Sequence, residues 1–139
     1  MRGLGGAGVD TMFLYVGTDQ GILALERREG EWRPRYLRLQ ERQVTALTAW
    51  GQMLWAGTKT GVWRSTNGGA QWHWVDVGGG ERHVRALAVD RDVPDAVYVG
   101  LEPAAICYSA DGGKSWNEAA EVARLRDEHH WSLPYSPAA

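Results

Sequence analysis

The chain of 139 residues has one cysteine, one phenylalanine and no apolar run approaching the ~18 residues that a bilayer-spanning helix needs. The lone Cys107 permits no internal disulfide. Charge of one sign is also lacking: 15 Lys and Arg stand against 17 Asp and Glu, for a net charge of −2 and a pI of about 6.1. That balance excludes a partner bound by bulk electrostatics, so neither nucleic acid nor an anionic membrane is expected. The first ten residues lack the apolar core of a signal peptide, and a cytoplasmic location is expected. Gly3-Leu4-Gly5-Gly6-Ala7-Gly8 satisfies G-x-G-x-x-G, but a dinucleotide loop must follow a strand and open a helix. Here the glycines precede the first strand-like run, and residues 1–11 read as a flexible extension, with Met12 a plausible start. No Cys/His spacing matches a zinc site, so neither metal nor cofactor is expected.

What the sequence has instead is glycine, tryptophan and repetition: 18 Gly and 8 Trp in a chain that is 44% hydrophobic. Ser65-Thr66-Asn67-Gly68-Gly69-Ala70-Gln71-Trp72 has a near twin in Ser109-Ala110-Asp111-Gly112-Gly113-Lys114-Ser115-Trp116. Leu14-Tyr15-Val16-Gly17-Thr18 matches Leu54-Trp55-Ala56-Gly57-Thr58 and then Val97-Tyr98-Val99-Gly100-Leu101. Val44-Thr45-Ala46-Leu47 and Val84-Arg85-Ala86-Leu87 lie 40 residues apart, as do Trp32 and Trp72. Periods of this length, with four short strands per unit, describe propeller blades.

Each unit reads strand by strand. Val-x-Ala-Leu opens the first strand, and its apolar residues suit a strand buried on both faces. Gly51-Gln52 and the longer Arg91-Asp92-Val93-Pro94-Asp95 are hairpin turns. The second strand ends at the repeated glycine, the third at Ser65 or Ser109, and the alternating Trp72–Val77 is a half-buried fourth. The expected organisation is all-β: a flexible extension over 1–11, an incomplete first unit over 12–40, a second over 44–81, a third over 84–123, and a connection over 124–139 that contains at most one helical turn at Arg124–Asp127. Ala46, Ala86 and Ala88 would suit the crowded centre of a radial array. Trp32, Trp55, Trp63, Trp72, Trp74 and Trp116 would pack unit against unit. Three units are fewer than the four to eight of a closed propeller, and the chain is therefore expected to be a piece of a longer protein.

The octets resemble the Asp-box, or BNR repeat, of sialidases, sortilin-type receptors and photosystem II assembly factors. The residues that carry the resemblance are Ser65, Asn67, Gly69 and Trp72 in one copy and Ser109, Asp111, Gly113, Ser115 and Trp116 in the other. Asn67 and Gln71 depart from the usual Asp and Thr/Ser, and the first unit keeps only Trp32. Over residues 12 to 123 the pattern is closest to bacterial BNR/YVTN-like propeller proteins. The resemblance implies a structural box, peripheral and on the face opposite any binding site. A short Asp or Asn side chain organises its own turn by accepting backbone N–H groups, and paired glycines allow the positive φ of the reversal.

Candidate ligand contacts then fall on the opposite rim. They are Asp19, Lys59 and Glu102 on the second-to-third-strand turns, with His129, His130 and Trp131 on the connection. Pro103 would fix the backbone beside Glu102. The mixed charge suits a protein or a small polar ligand. The expected function is a non-catalytic propeller module that binds such a partner, with no catalytic residue in this chain. The alternative is a glycoside hydrolase of sialidase-like type whose catalytic residues lie largely outside it. Such an enzyme would need three converging arginines, a tyrosine nucleophile and an acid/base carboxylate, as the resemblance implies. Trp32-Arg33-Pro34-Arg35 does not match the early Arg-Ile-Pro segment, and the inward strands offer Arg85 alone. Open edge strands are expected to make the isolated chain self-associate.

Overall fold

The structure, a computed structural model, describes residues 12–132 and Pro134. The glycine-rich start over 1–11, Leu133 and the tail from Tyr135 lie outside the described residues. The rest forms three antiparallel meanders in succession. Unit one is a three-stranded sheet of β1 (Met12–Thr18), β2 (Gly21–Arg28) and β3 (Glu31–Arg38). Unit two has four strands: β4 (Val44–Trp50), β5 (Met53–Thr58), β6 (Gly61–Ser65) and β7 (His73–Val75). Unit three repeats that order with β8 (His83–Val89), β9 (Val97–Glu102), β10 (Ala105–Ser109) and the two-residue β11 (Asn117–Glu118).

Strand register shows which positions correspond. Gly17 pairs with Ile22, Gly57 with Val62 and Gly100 with Ile106. β1 therefore occupies the second-strand position of its unit, and unit one has no inner strand among the described residues. The glycine has a packing reason in two units. A Cβ on Gly17 would stand 2.7 Å from Val44 Cγ1, and one on Gly57 would collide with Val84 Cγ1. Each glycine is a notch that admits the first valine of the next unit's inner strand.

The core runs between the sheets. Leu54, Trp55, Ala56, Val62, Val84, Val97 and Val99 are all but fully buried, and each large side chain of this kind stabilises the fold by about 1.5–3 kcal/mol over its exposed form. Trp55 meets Trp116 of unit three edge-on, with ring centroids 5.8 Å apart and planes at 83°; edge-to-face pairs of this kind add to area burial.

Three expectations need correction. Ala86 and Ala88 are exposed, and the inner strands β4 and β8 are only partly buried. Among the described residues, Val84 of β8 is buried while these alanines stay open. Trp32 and Trp74 lie on the surface, 43% and 42% exposed, because β3 and β7 are the outermost strands of their sheets. The single turn at Arg124–Asp127 is in fact a ten-residue helix, α1 (Ala120–His129). Its Ala, Glu, Leu and Arg content favours helix, and Arg124 pairs with both Glu121 and Glu128 at helical spacing.

Candidate functional site

Antiparallel connectivity puts the turns of each sheet at two opposite ends. The octets form the turns after β6 and β10. Their buried serines act as hubs: Ser65 Oγ accepts the Gly69 N–H at 2.9 Å, and Ser109 Oγ accepts that of Gly113 at 2.8 Å. Ser65 donates to Asn67 Oδ1 at 3.0 Å, and Ser109 to Asp111 Oδ1 at 2.8 Å. The backbone N–H groups of Gln71 and Ser115 close the same rings onto Asn67 and Asp111, each at 2.9 Å. The Trp72 and Trp116 indoles donate to the carbonyls of Gly69 and Gly113. Gly68, Gly69, Gly112 and Gly113 all have positive φ. The Ser115 hydroxyl, then the Ser115 N–H and the Ser109 hydroxyl, hold the Asp111 carboxyl well below the usual carboxylate range. Every one of these partners is a group of the turn itself.

The turns are also docking points. Tyr15 and Tyr36 of unit one both donate to the Gly68 carbonyl of unit two, at 2.6 and 2.9 Å. Arg64 of unit two donates to the Gly112 carbonyl of unit three at 2.7 Å. A Cβ on Gly113 would collide with the ring of Trp55.

The other end carries Asp19, Lys59 and Glu102. Asp19 is exposed in the β1–β2 turn. Lys59 lies in the β5–β6 turn, where its backbone N–H donates to Gln43 O. Glu102 ends β9, joined to Pro103 by a cis peptide bond. Its Oε2 accepts from Arg85 Nε at 2.6 Å and from Arg85 Nη2, and lies 3.5 Å from His83 Nδ1. His83 and Glu102 are directly opposed in the β8–β9 register.

Arg85 reaches Glu102 because β8 is bulged. The register passes from Val84↔Leu101 to Ala86↔Gly100, leaving Arg85 as the extra residue. Unit two has the same bulge at Thr45, whose hydroxyl donates to Val84 O of unit three at 2.5 Å. A bulge re-aims its extra side chain and recurs beside functional sites. Burial first, and then the Arg85 charge, lower the His83 pKa below the ordinary histidine value, with Glu102 opposing and Lys59 adding to the fall. Among the described residues His83 Nε2 is buried without a hydrogen-bond partner.

The structure thus groups Glu102 with Arg85 and His83, with Lys59 near enough to act on His83 electrostatically. It groups His129 with Trp131, whose rings stack at 6.0 Å at the end of α1, where His130 is the left-handed cap. The helix meets the same end of unit three, since Arg126 donates to Ala104 O in the β9–β10 turn. His83 carries no signal in the pattern of its own strand. Extending the β8–β9 pairing by one residue from Val84↔Leu101 would have found it. Cys107 is buried, and that burial raises its thiol pKa, which makes it a poor nucleophile. It lies beneath an open cavity of about 470 Å³ bordered by Arg82, Trp116 and Arg126. Among the described residues no helix is long and apolar enough to cross a membrane, and no group of three or more His, Cys, Asp or Glu is arranged to hold a metal ion.

No family model matches the chain, and no curated protein does. Solved structures do. YCF48 bound to D1 peptide superposes with a TM-score of 0.55 at 21% identity, over 78% of this chain and 36% of that one. YCF48 from Cyanidioschyzon merolae gives 0.54 at 24% identity, over 78% and 35%. The GH74 xyloglucanase from Xanthomonas campestris gives 0.53 at 21% identity, over 81% and 22%. Similarity at this level shows the fold alone. The neighbours are β-propellers, and the present chain is an incomplete propeller of three units that spans about a third or less of each neighbour's length.

Proposed function

We propose that this propeller module is a non-catalytic binder of a polar peptide segment of another protein, held at the rim formed by His83, Arg85, Glu102 and Lys59. The observation that carries the reading is the repeated bulge in the inner strand. In unit two it serves structure, with Thr45 fastened to unit three. In unit three it holds a half-buried guanidinium against a carboxylate at the mouth of the array. Oriented charges of both signs suit a hydrogen-bonding partner rather than a polyanion, and rims on a rigid scaffold are where specificity is carried. A structural neighbour described as bound to a peptide supports the same reading. Asp19, His129, His130 and Trp131 belong to the rim's periphery. In this account the octets are Asp-boxes whose residues, Ser65, Asn67, Gly69, Trp72, Ser109, Asp111, Gly113 and Trp116, fasten the units together. The division at 12–40, 44–81 and 84–123 marks those units.

The test is selection of peptides from a random display library on the immobilised chain. Recovered sequences should be rich in charged and amide side chains, and they should be lost on an Arg85→Ala chain. Recovery of no sequence above background, or equal recovery on both chains, would count against the reading. A second reading, a hydrolase-like module, draws support from the xyloglucanase neighbour. Release of reducing sugar from a soluble β-glucan by this chain would favour it.

A further inference from the structure

We propose that the cavity between units two and three binds a small aromatic acid, with its ring against the Arg82 guanidinium and its carboxylate on Arg126. Neither arginine belongs to the rim, and the proposal is independent of the peptide reading.

The two junctions between units share a plan and differ in filling. Arg42 and Arg82 each stand two residues ahead of the valine that enters the preceding unit's glycine notch, Val44 at Gly17 and Val84 at Gly57. Strand register carries the correspondence outward. Gly57 pairs with Val62 and Gly100 with Ile106, so the residues that follow, Trp63 and Cys107, are equivalent. Their partners on the outermost strands, Trp74 and Glu118, are equivalent in turn. At the first junction the Arg42 guanidinium lies over the Trp63 ring, 4.6 Å from its centroid. At the second the guanidinium is kept and the ring is gone: Arg82 Nη1 lies 3.6 Å from Cys107 Sγ. The second indole is gone as well, with Glu118 in place of Trp74. The connecting segment is also stripped, since Gly78 and Gly79 follow Arg38 and Leu39 by the same 40 residues that separate Val44 from Val84. Leu39 and Gly79 share a positive φ.

These losses leave the cavity of about 470 Å³, within the range of small-molecule sites. Val77 and Trp116 give it apolar walls. A ring that enters takes up at the second junction the part that the Trp63 indole plays at the first, and a guanidinium over an aromatic face is a favourable contact. The charge of the lining sets the rest of the ligand. Arg82 and Arg126 stand against Glu118, and Glu118 is engaged by Arg82 Nη2 at 3.2 Å. One positive charge is therefore in surplus, and it is Arg126. That side chain is fixed in advance, donating to Ala104 O at 3.2 Å and to Asp127 Oδ1 at 2.8 Å. An oriented guanidinium is a receptor for a carboxylate.

Ligand-observed NMR titration of the full chain tests this, with indole-3-acetate as the probe and indole and acetate as its two halves. Indole-3-acetate should bind at least about tenfold more tightly than either half. Arg126→Ala should bring indole-3-acetate down to the affinity of indole and leave indole itself unchanged. Cys107→Trp restores the side chain that the first junction has at Trp63, fills the cavity and should abolish binding. Should that variant lose its β circular dichroism, Glu118→Trp fills the cavity from the outermost strand, as Trp74 does in unit two, and should have the same effect. Cys107 is also a reporter, because indole-3-acetate should slow its reaction with N-ethylmaleimide. No binding of indole-3-acetate by the unaltered chain, an affinity for acetate equal to that for indole-3-acetate, or undiminished binding by a folded filled variant or by Arg126→Ala would each overturn the proposal.

Discussion

The Tyr15 hydroxyl donates to the carbonyl of Gly68, 53 residues away, at 2.6 Å. One unit's second strand is thereby fastened to the octet turn of the next. Trp55 repeats the relationship by packing, with its ring against Gly113 and Trp116. The octet turns of units two and three are anchored to the preceding unit, and this accounts for the stability effects expected below.

Ser109→Ala removes a buried hydroxyl that accepts the Gly113 N–H and orients Asp111. Leaving that donor without its partner costs about 1–3 kcal/mol. Urea titration should show a lowered midpoint with an unchanged slope, and Ser65→Ala should behave alike. An unchanged midpoint in both would contradict the hub role.

Trp55→Ala empties the contact between units two and three, where the indole is 1% exposed. Loss of a buried aromatic costs about 3–5 kcal/mol. Thermal unfolding followed by circular dichroism should report a fall of that order, and a loss below about 1 kcal/mol would show that the units do not depend on this contact.

Asp111 has a depressed folded pKa, so its contribution is present above the unfolded carboxylate value of 3.8 and is lost as pH falls below it toward the folded value. Asp111→Asn keeps the acceptor that Asn67 supplies in the other octet and removes the titration. The unaltered chain should lose its advantage over Asp111→Asn as pH drops from about 5 toward 2. A constant difference across that range would contradict the assignment.

His83 has a lowered folded pKa, which favours the folded chain above the unfolded value of 6.5 and disfavours it as pH falls through that value. Its imidazole resonances should titrate below 6.5. Glu102→Gln removes the opposing charge and should move the midpoint lower still. A midpoint at or above 6.5 would show that His83 is not held at the rim in the manner described.

Much of the fold was legible because the constraint behind it is periodic. A glycine notch, a valine that fills it and a serine hub must recur wherever one unit meets the next, so Gly17, Gly57, Val44, Val84, Ser65 and Ser109 disclose themselves by spacing. The rim is not periodic. Lys59 and Glu102 are placed at this end by their turn positions, but the position of His83 and the aim of Arg85 depend on a bulge that shifts the register of β8, and single-strand patterning is blind to it. The helix α1 was underestimated because its residues bury nothing. It shows no apolar stripe and is marked only by its i,i+3 and i,i+4 charge pairs. Ala86 and Ala88 suit a crowded centre by size, yet among the described residues both are exposed.

The central claim is that one end of the array fastens its units and the other binds. The most direct measurement is calorimetric titration of the best selected peptide into three chains: unaltered, Arg85→Ala and Asp111→Asn, all at neutral pH and well below their melting temperatures. Affinity should fall at least tenfold with Arg85→Ala, an effect of about 1.4 kcal/mol, and should be unchanged with Asp111→Asn. Loss of binding in folded Asp111→Asn with retention in Arg85→Ala would place the site at the octet end and contradict the account.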